Sequence, residues 1–173
     1  HSKQTLSCRT LIGCGIFICS LLILSGCGTF GSKSPSPKIA QFKQDTSVGT
    51  EDISIAAVGL VDVPYRYGGN TPKGGFDCSG LIVYVYNKAA GIKLPRTIQL
   101  MSTKGRSIDG QAPAPGDLVF FNTTGEKYSH AGIYVGQGRF VHAPSAGGTV
   151  RLDYITSPYW AAKFTEARRL TPQ

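Results

Sequence analysis

Gly75-Phe76-Asp77-Cys78-Ser79-Gly80 sets a thiol between an aspartate and a serine, just ahead of an apolar series at Leu81, Ile82, Val85, Tyr86 and Ala89. That series recurs at helical spacing and buries one face. Asp77 is a good N-cap, because its carboxylate accepts from the otherwise unpaired N–H groups of the first turn, and Gly91 is a natural stop. The stretch predicts a helix that opens at Cys78. Taken alone, Leu81 to Tyr86 also fits a strand by β-propensity. A cysteine in a first helical turn feels the positive end of the macrodipole, which favours the reactive thiolate and a pKa well below that of a free thiol. Such a residue is either packing or a nucleophile, and its partners decide which.

On the N-terminal side, Thr50 followed by Glu51 and Asp52 predicts the start of a short amphipathic helix carrying Ile53, Ala56, Ala57 and Leu60 and ended by Pro64. On the C-terminal side, Thr97 caps a second short helix that Gly105 stops. Beyond Pro115-Gly116 the pattern turns to strands: Asp117 to Asn122, Ser129 to Val135, Arg139 to Ala143, Val150 to Tyr154 and Lys163 to Arg169. Helices first and antiparallel strands afterwards predict an α+β domain.

Two histidines follow Cys78, in Ser129-His130-Ala131-Gly132-Ile133-Tyr134-Val135 and in Phe140-Val141-His142-Ala143-Pro144. Both fall on one predicted hairpin. If its loop is Gly136-Gln137-Gly138, residues 135 and 139 pair and His130 and His142 share a face as diagonal neighbours, about 7–8 Å apart at the backbone. A two-residue loop would split them unless a bulge intervened. The chemistry asks for this set. A thiol nucleophile needs a base and then an acid for the leaving amine, and an imidazole does both near neutral pH. His130 is the expected base and His142 the group that accepts its other ring N–H, with both rings facing Cys78.

Residues 1–26 read as a leader: Lys3 and Arg9 precede an apolar run from Leu11 to Leu24, too short to span a bilayer comfortably, and Leu24-Ser25-Gly26-Cys27 follows. This resembles a bacterial lipoprotein signal. The resemblance implies cleavage before Cys27, acylation there (palmitate among the chains), and, with Gly28 next, anchorage at the periplasmic face of the outer membrane. Residues 27–49, rich in Ser, Pro, Lys, Gln and Thr, predict a flexible tether, and 50–173 one domain. Lys and Arg number 18 against 10 Asp and Glu; 18 less Lys3 and Arg9 leaves 16 in the mature chain. A basic surface suits an anionic polymer or lipid headgroups. No basic block interleaved with aromatics appears, which excludes a nucleic-acid binder. Of five cysteines, Cys8, Cys14 and Cys19 leave with the leader and Cys27 is lipidated, so the domain keeps one free thiol, Cys78. In an exported chain a lone thiol is costly to keep for packing alone.

Pro64-Tyr65-Arg66-Tyr67-Gly68-Gly69, Phe76-Asp77-Cys78-Ser79-Gly80-Leu81, Leu94-Pro95-Arg96, Pro115-Gly116-Asp117-Leu118-Val119-Phe120-Phe121, His130-Ala131-Gly132-Ile133-Tyr134 and Phe140-Val141-His142-Ala143 resemble, in order, the motifs of the NlpC family of bacterial cell-wall cysteine peptidases. The resemblance implies a papain-like fold and hydrolysis of peptidoglycan stem peptides at diaminopimelate. It assigns Cys78 as nucleophile, His130 as base and His142 as orienting residue. Tyr65, with Tyr67 the alternative, supports the oxyanion, and no cofactor or metal is implied. Asp77, Ser79, Arg66 and Arg96 are the candidate substrate contacts, with Lys73 a further basic candidate, and a monomer is expected. One departure is Ala131, where many relatives carry Val. Rival readings are an amidase or acyltransferase on the same scaffold, a wall-binding lipoprotein without activity, and a zinc site of Cys78, His130 and His142, against which the absence of paired-ligand spacing argues.

Overall fold

The computed structural model describes residues 50–108, 110–145 and 148–170. The leader, Cys27 and the tether lie outside the described residues. Within them, α1 (Thr50–Val58) and α2 (Cys78–Ala90) precede a six-stranded antiparallel sheet, as the order of patterns predicts. The strands are β3 (Arg106–Ser107), β4 (Leu118–Phe121), β5 (His130–Gly136), β6 (Arg139–His142), β7 (Arg151–Tyr154) and β8 (Phe164–Arg169), in spatial order β3-β8-β4-β5-β6-β7. A two-stranded ribbon of β1 (Asn70–Thr71) and β2 (Gly75–Phe76) leads into α2, and α3 (Ile98–Met101) follows it. The helix reading of Leu81 to Tyr86 prevails over the strand reading. The caps explain why: Asp77 accepts from the Gly80 N–H, and Gly91 takes the left-handed conformation (φ 67°) that closes the last turn.

Three local expectations shift. α1 ends at Val58, ahead of Pro64, in a run of turns in which Leu60 N–H bonds back to Ala57 and Val61 N–H to Val58. α3 ends at Met101 rather than at Gly105, which instead turns into β3. Lys163 closes a further helix, α4 (Pro158–Lys163), so the last strand begins at Phe164. The signal for α4 was Ser157-Pro158, since proline at the first helical position gives up no hydrogen bond.

Alternation along the strands sorts the core. Leu118, Phe120, Ala131, Ile133 and Val141 point to the face covered by α1 and α2, where they meet Ile53, Ala57, Leu81, Ile82 and Val85. Val119, Phe121, Phe140 and Ala167 point the other way and gather around Trp160 of α4 and Ile108. At ~25 cal/mol per Å² of apolar surface, these two clusters supply most of the drive to fold. Asp117, fully buried at the head of β4, is neutralised by a two-pronged pair with Arg169 of β8 (Nε to Oδ1 2.8 Å, Nη2 to Oδ2 2.8 Å). Its neighbour Gly116 offers its carbonyl to the buried hydroxyl of Tyr86, tying α2 to the sheet.

Candidate active site

The β5–β6 hairpin differs from the simplest expectation in a way that preserves its consequence. Ile133 pairs with Val141 and Tyr134 with Phe140, but Gly136, not Val135, pairs with Arg139. The turn therefore has two residues, Gln137 (φ 54°) and Gly138 (φ 72°), the two positive values of a type I′ turn. A bulge between Tyr134 and Gly136 restores the parity that such a turn would otherwise invert. His130, which opens β5, and His142, which closes β6, therefore share a face at the same end of the sheet. Their rings meet, His130 Nε2 to His142 Nδ1, at 2.9 Å. The approach needs Gly132, because a Cβ there would stand 2.6 Å from Phe140 Cδ2 and 3.2 Å from His142 Cβ.

Cys78 is brought to that end through backbone pairings. Phe76 bridges Tyr65, and Pro64 bridges Thr149, two residues before Arg151, the pairing partner of His142. α2 packs on the face of β5 opposite to the histidines, with Cys78 in its first turn. Among the described residues no hydrogen bond joins Sγ to either ring, and His130 Nδ1 has no hydrogen-bond partner. Tyr65 lies close enough to Cys78 and Asp77 that, after burial, their charges are what push its hydroxyl pKa up. Tyr67 is 90% exposed, which favours Tyr65 as the residue beside the thiol.

Asp77 does more than cap. It accepts from Gly80 N–H (2.6 Å), Ser79 Oγ (2.9 Å) and Gly68 N–H (2.9 Å), and Arg96 spans its two oxygens (3.0 and 3.2 Å) while also reaching Ser79 Oγ at 2.8 Å. Asp77, Ser79 and Arg96 thus form one cluster around the base of Cys78, and the Arg96 guanidinium and hydrogen bonds hold the Asp77 carboxyl below its usual range even against burial. Arg66 and Lys73 are exposed and outside this cluster.

The electrostatics overturn one expectation. The Cys78 pKa is raised, not lowered: burial dominates and the Asp77 carboxylate adds to it, outweighing the backbone N–H groups of Ser79 and Cys78 and the charge of Arg96. His130 is pushed down to about 3, by burial and then by His142 and Arg151, and His142 to about 4, burial outweighing its bond to Asp153. The resting pair is a neutral thiol and a neutral imidazole. Alkylation of Cys78 by iodoacetamide is therefore expected to keep accelerating through and beyond the ~8.5 of a free cysteine. A rate already level at mildly acid pH would contradict this and restore the ion pair.

Two residues that motif reading missed complete the surroundings. Asp153 Oδ2 lies 2.9 Å from His142 Nε2, and Trp160 stacks on His130, ring centroids 5.5 Å apart, while its indole N–H donates to the same Asp153 oxygen at 3.0 Å. Both ring nitrogens of His142 are thereby engaged, which leaves none for a zinc ion. Among the described residues no cluster of three His, Cys, Asp or Glu side chains is placed to hold a metal, and no helix is long and apolar enough to cross a membrane.

Comparison with known proteins bears on the family. A gamma-DL-glutamyl hydrolase of Bacillus subtilis is 44% identical over 69% of this chain, which spans 30% of that protein. The probable endopeptidase NlpC of Escherichia coli is 34% identical over 90% of this chain and 97% of its own length. Among solved structures, a protein of the NlpC/P60 family from Bacillus cereus superposes with a TM-score of 0.65 at 30% identity, over 71% of this chain and 40% of that one. The model of the NlpC/P60 family matches residues 62–169, well over half of the sequence, and the chain belongs to the NlpC/P60 family.

Proposed function

We propose that this chain is a thiol peptidase of the bacterial cell envelope that hydrolyses an amide bond of peptidoglycan stem peptides at diaminopimelate. Cys78 is the nucleophile, His130 the base and acid, and His142 the group that holds His130. The observation that supports the reading is the 2.9 Å bond between His130 Nε2 and His142 Nδ1, which leaves His130 Nδ1 open to take a proton.

The reaction follows from the neutral resting pair. As Sγ attacks the carbonyl carbon, its proton passes to His130 Nδ1, a C–S bond forms and the carbonyl electrons move to oxygen. The Cys78 backbone N–H and the Tyr65 hydroxyl receive that oxyanion. Collapse of the intermediate breaks the C–N bond, and the proton on His130 goes to the leaving amine. Water then attacks the thioester carbonyl as His130 takes its proton; a C–O bond forms, the C–S bond breaks to release the carboxylic acid, and the departing sulfur takes the proton back from His130. The Asp77, Ser79, Arg96 cluster at the base of Cys78, with exposed Arg66 as a further cation, suits a substrate that carries free carboxylates and an amine. The names of the relatives support the substrate class: one is a gamma-DL-glutamyl hydrolase and another a murein DD-endopeptidase.

Digestion of purified muropeptides followed by mass spectrometry tests the reading. The expected products end or begin at diaminopimelate and vanish in Cys78→Ala. Release of the whole stem from the glycan would make the protein an amidase, and transfer to an added amine without hydrolysis an acyltransferase. We also propose that the mature protein begins at acylated Cys27 and acts as a monomer from the periplasmic face of the outer membrane. Intact mass of membrane-extracted protein checks the anchor; an unmodified Cys27, or residues 1–26 still attached, would refute it.

A further inference from the structure

The bond from His142 onward decides how the histidines hold their protons. Asp153 Oδ2 receives three groups: His142 Nε2 at 2.9 Å, Trp160 Nε1 at 3.0 Å and Arg151 Nε at 3.1 Å. Indole and guanidinium nitrogens only donate. The oxygen they converge on is therefore an acceptor, and the proton in its bond to His142 belongs to the imidazole. A neutral His142 that carries its proton on Nε2 has a bare Nδ1. Opposite that bare nitrogen, at 2.9 Å, His130 Nε2 must donate. A neutral His130 with its proton on Nε2 in turn has a bare Nδ1, an atom open to take a proton.

We propose that Asp153 is a positioning residue that acts through His142 to lock both imidazoles as Nε2–H tautomers, so that His130 always presents an unprotonated Nδ1 to Cys78. The assignment rests on the peptidase reading above for its consequence in catalysis, though not for the tautomers themselves. The sheet puts Asp153 in place: Phe140 pairs with it and His142 with Arg151, so the carboxylate stands diagonally across from His142 on the same face. Trp160 stacks on His130, lies edge-on to His142 with ring centroids 4.9 Å apart, and clamps the carboxylate, so it covers the relay from one side. When His130 takes the thiol proton, its positive charge sits one imidazole away from the Asp153 carboxylate, which stabilises the step at a distance. The surrounding charge is otherwise positive, from Arg151, which lowers the proton affinity of both rings.

The test combines ring-nitrogen NMR of the full chain, labelled with ¹⁵N at histidine, with muropeptide kinetics. In the wild type, His130 and His142 should each show one protonated Nε2 and one bare Nδ1. Asp153→Leu should move the His142 nitrogens toward values averaged over both tautomers and lower kcat about 10- to 100-fold, as losses of such outer partners do, with KM unchanged. In Asp153→Asn the Trp160 and Arg151 donors hold the amide oxygen in place, so the tautomers should persist while loss of the charge costs about tenfold in kcat. His130 protonated at Nδ1 in the wild type, or wild-type kcat in Asp153→Asn, would overturn the proposal. So would an unchanged nitrogen pattern and turnover in a folded Asp153→Leu. Should Asp153→Leu fail to fold, the wild-type pattern and Asp153→Asn still decide. The NMR needs no substrate, so a wild type that cuts no muropeptide would sink the peptidase reading and leave the tautomer result standing.

Discussion

His130→Ala is expected to cut muropeptide turnover by about 10³- to 10⁴-fold while the chain still folds. The size follows from what the residue is asked to do. With burial and Asp77 holding Cys78 as a thiol, there is no standing thiolate to attack on its own. Without His130 the proton must go to solvent in the first step, and none is at hand for the leaving amine in the second; a positioned acid–base group contributes about 10²- to 10⁴-fold to such steps. The loss should fall mainly on kcat. His142→Ala removes only the group that holds His130, so its cost should be smaller than that of His130→Ala. Because His130 stacks on Trp160, His130→Gln, which fills more of the site, serves as the check against simple loss of packing. Circular dichroism with kinetics on both variants makes the measurement. Cleavage within tenfold of wild type in either folded variant, or a larger loss in His142→Ala, would show that His130 is not the base.

The second large effect is acid destabilisation between about pH 6.5 and pH 4. An unfolded histidine titrates near 6.5, whereas in the folded chain burial holds His130 at about 3 and His142 at about 4. Above the unfolded value both states carry neutral rings and the pair contributes nothing to the pH dependence. Below it, the unfolded chain binds up to two protons that the folded chain refuses, so stability falls as pH falls. Two protons set a slope approaching roughly 2.7 kcal/mol per pH unit, a large part of the ~5–15 kcal/mol that holds a domain together. Asp77 and Asp153, both held below the usual carboxylate range in the fold, extend the loss to lower pH. Urea unfolding at pH 7 and pH 5 measures it. Equal midpoints at the two pH values would mean that the rings are open to protons and the buried relay does not persist in solution; His142→Gln should roughly halve the slope.

Much of this architecture is local and therefore legible. The caps of α2 are decided within a few residues, Asp77 by its reach to Gly80 N–H and Gly91 by its freedom at positive φ. The order of the motifs carried the family, and the parity of the hairpin about its Gly136-Gln137-Gly138 stretch put His130 and His142 on one face. Even there the detail escaped: the bulge at Val135 and the two-residue Gln137-Gly138 turn compensate one another. Parity alone sees only their sum.

What the amino-acid sequence determined by itself, then, is the helix that opens at Cys78, the α+β order, and two histidines on one face of one hairpin, because each depends on side-chain period and hydrogen bonds between near neighbours. Only the tertiary structure decided the rest. Asp153 joins the histidines because β7 pairs with β6 across a loop whose length no pattern specifies, and Trp160 reaches them because α4 folds back over the sheet. The thiol pKa moves in the opposite direction from the one a helix N-terminus implies, since the dipole acts within a single turn whereas burial comes from everything packed around that turn, and the neighbouring Asp77 carboxylate adds to it.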